Sequence, residues 1–201
     1  MTRLETFFLK HLWPGLAAWV ALYISDYAMT IKCARLYQAG VNESIVFEGS
    51  YEITPYFQRD INSLRRISPR FLAALALTAL ALAGIYWVSR EITTPQLYDF
   101  VLGAFISMQL AIHTRHFRNF FQFRAILHGR GARGRMEYPR VHMLQLSALE
   151  LLVFAGMFTV LFLFTGSWFL LGGTLGCLSI AQTHWRLARR RPSRNPAEPS
   201  K

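Results

Sequence analysis

Cysteine is scarce in this chain: only Cys33 and Cys177 occur among its 201 residues, and they form no CxxC pair. Cys33 follows one apolar run, and Cys177 lies inside another. Disulfide frameworks and cysteine-based zinc sites need more cysteines at closer spacing. The cysteine pattern therefore argues against both kinds of protein.

Several motifs of enzymes, channels and transporters are also missing. The sequence has no GxSxG, P-loop or HExxH motif, no repeated histidine boxes and no series of arginines at every third position. It shows no internal repeat of the kind that builds inverted-repeat transporters. No small-residue cleavage site follows the first apolar run, so we do not expect a cleaved signal peptide. These absences leave an enzymatic function open but do not favour it.

Acidic residues are few, since 11 Asp and Glu accompany 22 Lys and Arg, giving a formal net charge of +11. A strongly basic chain can indicate a nucleic-acid-binding protein. Here 19 of the basic residues fall in three stretches that lie between or after apolar runs. The Arg-Gly segment at 129–135 has no folded binding module beside it. We therefore expect no nucleic-acid partner.

Apolar residues, in contrast, are abundant. They make up 53% of the chain, which includes 16 phenylalanines. Five runs approach the ~20 residues that cross a hydrocarbon core. We predict an all-α integral membrane protein with a single helical bundle over residues 1–188. Its five spans are expected at about residues 12–31, 71–88, 97–116, 143–164 and 167–185. Pro14, Gly15 and Asp26 interrupt the first run, so the alternative is four spans with that run in the interface.

The distribution of Lys and Arg predicts the orientation in the membrane. Stretches 32–70, 115–142 and 186–201 carry six, seven and six of them, whereas the opposite side holds only Arg3, Lys10 and Arg90. Short loops rich in Lys and Arg stay cytoplasmic. We therefore expect a multi-pass protein of the cytoplasmic (inner or plasma) membrane, with its N-terminus outside and its C-terminus inside. Residues 189–201 are predicted to form a disordered basic cytoplasmic tail.

The two cytoplasmic loops contain further local signals. Gly40 and Gly129 are predicted to end helices that continue from the first and third spans. A Thr-Pro pair and a Ser-Pro pair are typical of helix starts at residues 54–55 and 68–69. Between them, apolar residues recur at helical spacing: Phe57, Ile61 and Leu64. This pattern predicts a basic amphipathic interfacial helix at 55–67 that lies on anionic phospholipid.

Polar side chains enter the predicted spans mainly from the cytoplasmic side. Ionisable residues inside a bilayer are costly, and they are therefore candidates for functional sites. Glu150 is the most unusual, because it lies about 10 Å into the fourth span among apolar neighbours. The candidate ligand-binding residues share this leaflet or its basic rim: Asp26, Gln109, His113, His116, Glu150, Gln182, His184, Lys32, Arg35, Arg115, Arg118 and Arg186.

The leading hypothesis is that this cluster binds, and in one version translocates, an anionic or lipidic ligand without a cofactor. The alternative is a metal-dependent membrane-embedded enzyme that holds Zn or non-haem Fe. Its candidate ligands are His113, His116, His184 and Glu150. A b-type haem between His113 and His184 is a third hypothesis. Ordinary interfacial histidines would explain the same residues without a ligand.

The sequence also suggests partners for Asp26 and Glu150, the two carboxylates in the predicted spans. Asp26 has Thr30 and Lys32 as structural partners in its own helix. We expect Glu150 to face the bundle interior, within one water molecule of the residues that share its depth: His113, His184 or Arg115.

Small residues recur along the fifth span. Gly172, Gly176, Ser179 and Thr183 lie on one helical face. Such a stripe lets another helix approach closely. We expect packing inside the monomer, and a homo-oligomer through the same face is the alternative.

Overall fold

The computed structural model describes residues 7, 10–131 and 134–189. In chain order the elements are α1 (Leu12–Leu36), a π-helical segment (Tyr37–Val41), a helical turn (Asn42–Ser44), β1 (Ile45–Phe47), α2 (Pro55–Asn62), α3 (Pro69–Glu91), α4 (Gln96–Leu127), β2 (Met136–Tyr138), α5 (Arg140–Thr165) and α6 (Trp168–Arg189). The predicted helical class is confirmed. The tail predicted at 189–201 lies outside the described residues, apart from Arg189.

Three helices, α3, α4 and α5, are long and apolar enough to cross a membrane. Large apolar side chains on α3 and α5 are exposed, including Leu77, Leu80 and Leu163. Continuous apolar surface of this kind is stable in lipid and unfavourable in water. These helices support assignment as a membrane protein. α1 and α6 are less apolar, since α1 contains Pro14 and Asp26 and α6 contains Gln182 and His184.

Helix α4 lies at the centre of the bundle, where it contacts α1, α3, α5 and α6. Half of the apolar stretch of α4 that could cross a membrane is buried inside the protein, compared with 17% of the corresponding stretch of α3. Helix α3 is therefore peripheral and presents most of its surface to the surroundings. The central position of α4 explains how this helix can carry several buried polar residues.

Helices α4 and α6 approach closely because glycines meet at their crossing. A Cβ atom added to Gly172 would overlap the carbonyl oxygen of Phe100, and one added to Gly103 would overlap that of Phe169. Only glycine allows this backbone approach. The expected packing inside the monomer is therefore present at Gly172. Only part of the small-residue stripe packs against α4, because Ser179 and Thr183 remain exposed.

The predicted amphipathic helix at 55–67 is shorter in the structure, where α2 ends at Asn62. Asp60 explains the early end. Its backbone carbonyl accepts the Arg65 N–H at 2.9 Å, and its carboxylate accepts the Ser68 hydroxyl at 2.5 Å. Leu64 adopts a positive φ of 51° within this turn. The chain therefore reverses before α3, and Ser68 caps α3 by accepting a backbone N–H.

The apolar face of α2 packs on protein, while contact of this helix with anionic phospholipid stays a prediction. Ile61 is only 1% exposed and joins a cluster with Tyr27 of α1 and Phe71 of α3. The helical periodicity predicted this apolar face, but it did not predict what the face would cover. Protein packing removes the same apolar area from water that lipid would have removed.

A short parallel strand pair, which the sequence analysis missed, joins the two loops. Ile45, Val46 and Phe47 of β1 pair with Met136, Glu137 and Tyr138 of β2. The contact continues beyond β1, where the Glu48 carboxylate accepts the Arg140 N–H at 2.8 Å. The segments before α2 and before α5 are thereby held together at one end of the bundle.

Candidate ligand cavity

A cavity of about 310 Å³ lies at the end of the bundle that carries the strand pair. Its walls come from α4, α5, α6 and the β1–α2 loop. The predicted candidates that line it are Arg115, His116, Arg118, Glu150 and His184. Known ligand pockets begin at about this volume. The structure therefore brings five of the twelve candidate residues around one cavity.

The cationic corner of the cavity is built around Ser147. Arg115 Nη1 of α4 donates a hydrogen bond to Ser147 Oγ of α5. His184 Nδ1 of α6 lies 3.0 Å from the same oxygen. Within the described residues, no carboxylate forms an ion pair with Arg115. This corner therefore holds a guanidinium that forms no ion pair in the part of the chain that the structure describes.

Glu150 has a different partner from those expected. Its Oε1 accepts a hydrogen bond from Arg118 Nη1 in a close ion pair, and it contacts neither His113 nor His184. Its side chain is 29% exposed. Arg118 lies five residues beyond His113 on α4 and reaches across to α5. The pair adds no net charge to the cavity wall, where Glu52 supplies a second carboxylate and Arg115 a second guanidinium. The Glu52 carboxylate accepts the Thr54 N–H at 2.7 Å and, among the described residues, forms no ion pair with Arg115.

Two of the predicted residues meet behind the cavity, at the contact between α1 and α4. His116 Nε2 lies 2.8 Å from Asp26 Oδ1 and 3.3 Å from Thr30 Oγ1. The Thr30 hydroxyl donates to the backbone carbonyl of Asp26 at 2.9 Å. The expected contact with Thr30 is therefore present through the backbone, while the Asp26 carboxylate faces an imidazole.

His113 faces α1 rather than the cavity. Its Nε2 lies 2.6 Å from Ser25 Oγ, and its Nδ1 lies 2.7 Å from the carbonyl oxygen of Gln109. A carbonyl only accepts hydrogen bonds, so Nδ1 carries a proton. Both ring nitrogens are thus occupied by protein groups. Gln109 is buried beside this histidine and does not line the cavity.

Aromatic residues form another part of the cavity wall. Tyr51 packs against Phe123 with ring centroids 5.7 Å apart, and Phe47 packs against Tyr138 at the same separation. Burial raises the pKa of the Tyr51 phenol far above its ordinary value, and the nearby Cys33 adds to the increase. The phenol is therefore a neutral hydrogen-bonding group in the cavity wall.

The candidate metal ligands do not converge. Among the described residues, no three His, Cys, Asp or Glu side chains form a group that could hold a metal ion. His113 is turned to Ser25, His184 to Ser147 and Glu150 to Arg118. The geometry therefore gives the metal-enzyme and haem hypotheses no support.

The remaining candidates lie elsewhere. Lys32 and Arg35 are exposed on α1, and Arg186 is exposed on α6. Gln182 lines an open apolar groove between α5 and α6, on another side of these helices. These four residues therefore do not contribute to the cavity.

Sequence reasoning missed several residues of the cavity wall. On α4 a usable signal was present, because Arg115, Arg118, Asn119 and Gln122 share one helical face through spacings of three, four and seven residues. Ser147 offered no such signal. A single serine in an apolar helix usually bonds its own backbone, and only the tertiary contacts show its role.

No protein-family model, curated protein or solved structure matches this chain. The chemistry of the cavity therefore carries the functional argument.

Proposed function

We propose that this protein is a multi-pass membrane protein that binds an anionic ligand, such as a lipid headgroup, in the cavity between α4, α5 and α6. The observation that supports the proposal is the environment of Arg115. This residue lies in the cavity wall without a carboxylate partner among the described residues, while the neighbouring Arg118 is neutralised by Glu150. A partly buried cation in a site of low dielectric favours an anion strongly.

The shape of the cavity fits an amphiphilic ligand. Its lining combines the cations Arg115 and Arg118 with the aromatic residues Phe47, Tyr51 and Phe123. Such a combination of apolar lining and a few placed polar groups is typical of small-molecule sites. The charged part of a ligand would meet Arg115, and its apolar part would contact the aromatic rings.

The proposed topology has five spans, with the N-terminus outside and the C-terminus in the cytoplasm of a cell with a plasma or inner membrane. Two features support it. The basic stretches alternate with the apolar runs as the positive-inside rule requires. Strands β1 and β2 pair with each other, and α3 and α4 lie between them in the chain. A pair of spans between the two strands returns the chain to the side from which it started.

The test is binding of phosphatidylglycerol to the protein in a neutral detergent, measured by native mass spectrometry. Arg115→Gln should weaken binding by roughly ten- to a hundredfold, because a hydrogen bond to a charged group contributes about 1.5–3 kcal/mol. The matched control is Arg124→Gln, which removes the same charge from the exposed surface of the same helix, outside the cavity. Equal losses in the two variants would reject the cavity as the binding site.

A further inference from the structure

Ser147 occupies an unusual position for a serine in a helix. Most hydroxyls in these helices donate to a carbonyl of their own helix, as Ser25, Thr114 and Thr159 do. Ser147 makes no such bond in the part of the chain that the structure describes. Its oxygen instead contacts Arg115 of α4 and His184 of α6.

The direction of these hydrogen bonds follows from the chemistry of the groups. A guanidinium only donates, so Ser147 Oγ accepts from Arg115. The serine hydrogen then needs an acceptor, and His184 Nδ1 at 3.0 Å is the acceptor that the described residues provide. A neutral imidazole that accepts at Nδ1 carries its proton at Nε2. The contacts therefore set both the tautomer and the ring orientation of His184.

We infer that His184 is a ligand-binding residue that donates its Nε2–H to the anion held by Arg115, and that Ser147 is the positioning residue that fixes this donor. The inference rests on the proposed function. It also names the ligand chemistry, because Arg115 and His184 then form a corner that only donates hydrogen bonds. An ionised oxyanion with no proton on the facing oxygens, such as a phosphodiester, satisfies both donors.

The burial of the two side chains agrees with these roles. Ser147 is 2% exposed and has both of its contacts filled by protein. His184 is half-buried and lines the cavity, and its Nε2 has no polar partner within the described ranges. Ser147 thus acts through His184, which is left to meet the ligand.

The test uses two substitutions of similar size that retain different nitrogens. In His184→Gln the amide can reach the position of Nε2, and in His184→Asn it can reach that of Nδ1. With phosphatidylglycerol as the probe, His184→Gln should bind within about twofold of wild type, and His184→Asn should bind roughly tenfold more weakly. Thermal unfolding of both variants in detergent checks that they fold.

The reverse order would overturn the inference, because it would show that the Ser147 contact alone matters. Equal binding by both variants, or equal loss, would overturn it as well, since neither distinguishes the two nitrogens. If Arg115→Gln binds like wild type, the proposed function fails whatever the His184 variants do. If Arg115→Gln binds phosphatidylglycerol weakly and the two His184 variants bind it equally well, only this inference fails.

Soluble glycerophosphoglycerol, added as a competitor, distinguishes a lipid from a water-soluble ester. Displacement of the lipid by this competitor would assign recognition to the phosphodiester itself and support the donor corner. Displacement by uncharged glycerol at the same concentration would contradict it, because glycerol offers hydroxyls but no oxyanion.

Discussion

His116 Nε2 lies 2.8 Å from Asp26 Oδ1, across the contact between α4 and α1. The carboxylate oxygen is buried, and this close ion pair is its polar contact, since no group among the described residues forms a hydrogen bond to it. The pairing accounts for an acidic residue in a largely apolar helix, because each group reduces the cost of burying the other. It also ties α1 to the central helix of the bundle.

Replacement of Asp26 tests the strength of this tie. Asp26→Ala should lower the free energy of unfolding by about 1–3 kcal/mol, since the imidazole loses its acceptor. Asp26→Asn should lose less, because the amide keeps a polar oxygen beside Nε2. Chemical unfolding in detergent measures both variants. Identical losses would show that the acceptor at this position has no role in stability.

The glycine crossing of α4 and α6 gives a second prediction. Gly172→Ala should destabilise the protein by about 3 kcal/mol or more, because the added methyl group meets the backbone of α4 and forces the helices apart. Thermal unfolding in detergent measures the loss.

Gly84 and Gly156 provide matched controls, because a Cβ atom at either position would have no neighbour within 4 Å. Both lie in helices, so Gly84→Ala and Gly156→Ala should be neutral or should stabilise by up to about 1 kcal/mol. Destabilisation of the controls comparable with that of Gly172→Ala would contradict the role of the crossing.

The membrane topology can be tested by labelling single introduced cysteines in intact spheroplasts. Both native cysteines are 0% exposed and should stay unlabelled. A cysteine at Thr94 should react with an impermeant reagent from outside, whereas cysteines at Glu43 and Arg130 should react only after lysis. If Glu43 and Arg130 were labelled from opposite sides, the proposed spans and the β1–β2 pairing would both be wrong.

Tyr51 predicts a specific loss of stability at alkaline pH. Burial raises the pKa of its phenol, so the folded protein keeps this proton at pH values where the unfolded chain releases it. The contribution is fully present below about pH 10 and is lost as the pH rises further. Wild type should therefore lose stability more steeply than Tyr51→Phe as the pH rises from about 10 to about 12, as measured by chemical unfolding. Parallel losses would refute the prediction.

Local sequence signals placed most of the helix boundaries correctly. Gly40 and Gly129 both adopt positive φ values, of 135° and 67°, close to the ends of α1 and α4. The proline-containing starts at residues 55 and 69 begin α2 and α3. These features depend on one or two residues and their backbone preferences, which a single sequence displays.

Contacts between distant segments were harder to predict. The sequence predicted that Glu150 needs a partner, but the choice of Arg118 over Arg115 depends on the rotation of α4 against α5. The strand pair depends on two three-residue segments that are far apart in the chain. Segments this short have little periodicity, and their pairing is stabilised by the surrounding tertiary structure.

The close contact between α4 and α6 also has a consequence for biosynthesis. A ribosome makes α4 well before α6, so the surface around Gly103 emerges while its partner is still unmade. Helices α5 and α6 follow as a hairpin with a short turn at Gly166 and Ser167, and this hairpin supplies Ser147 and His184. The cavity therefore comes into existence only when the hairpin docks on α4. A nascent chain that stops before α6 lacks the complete cavity, so binding of the proposed anion would report completed assembly.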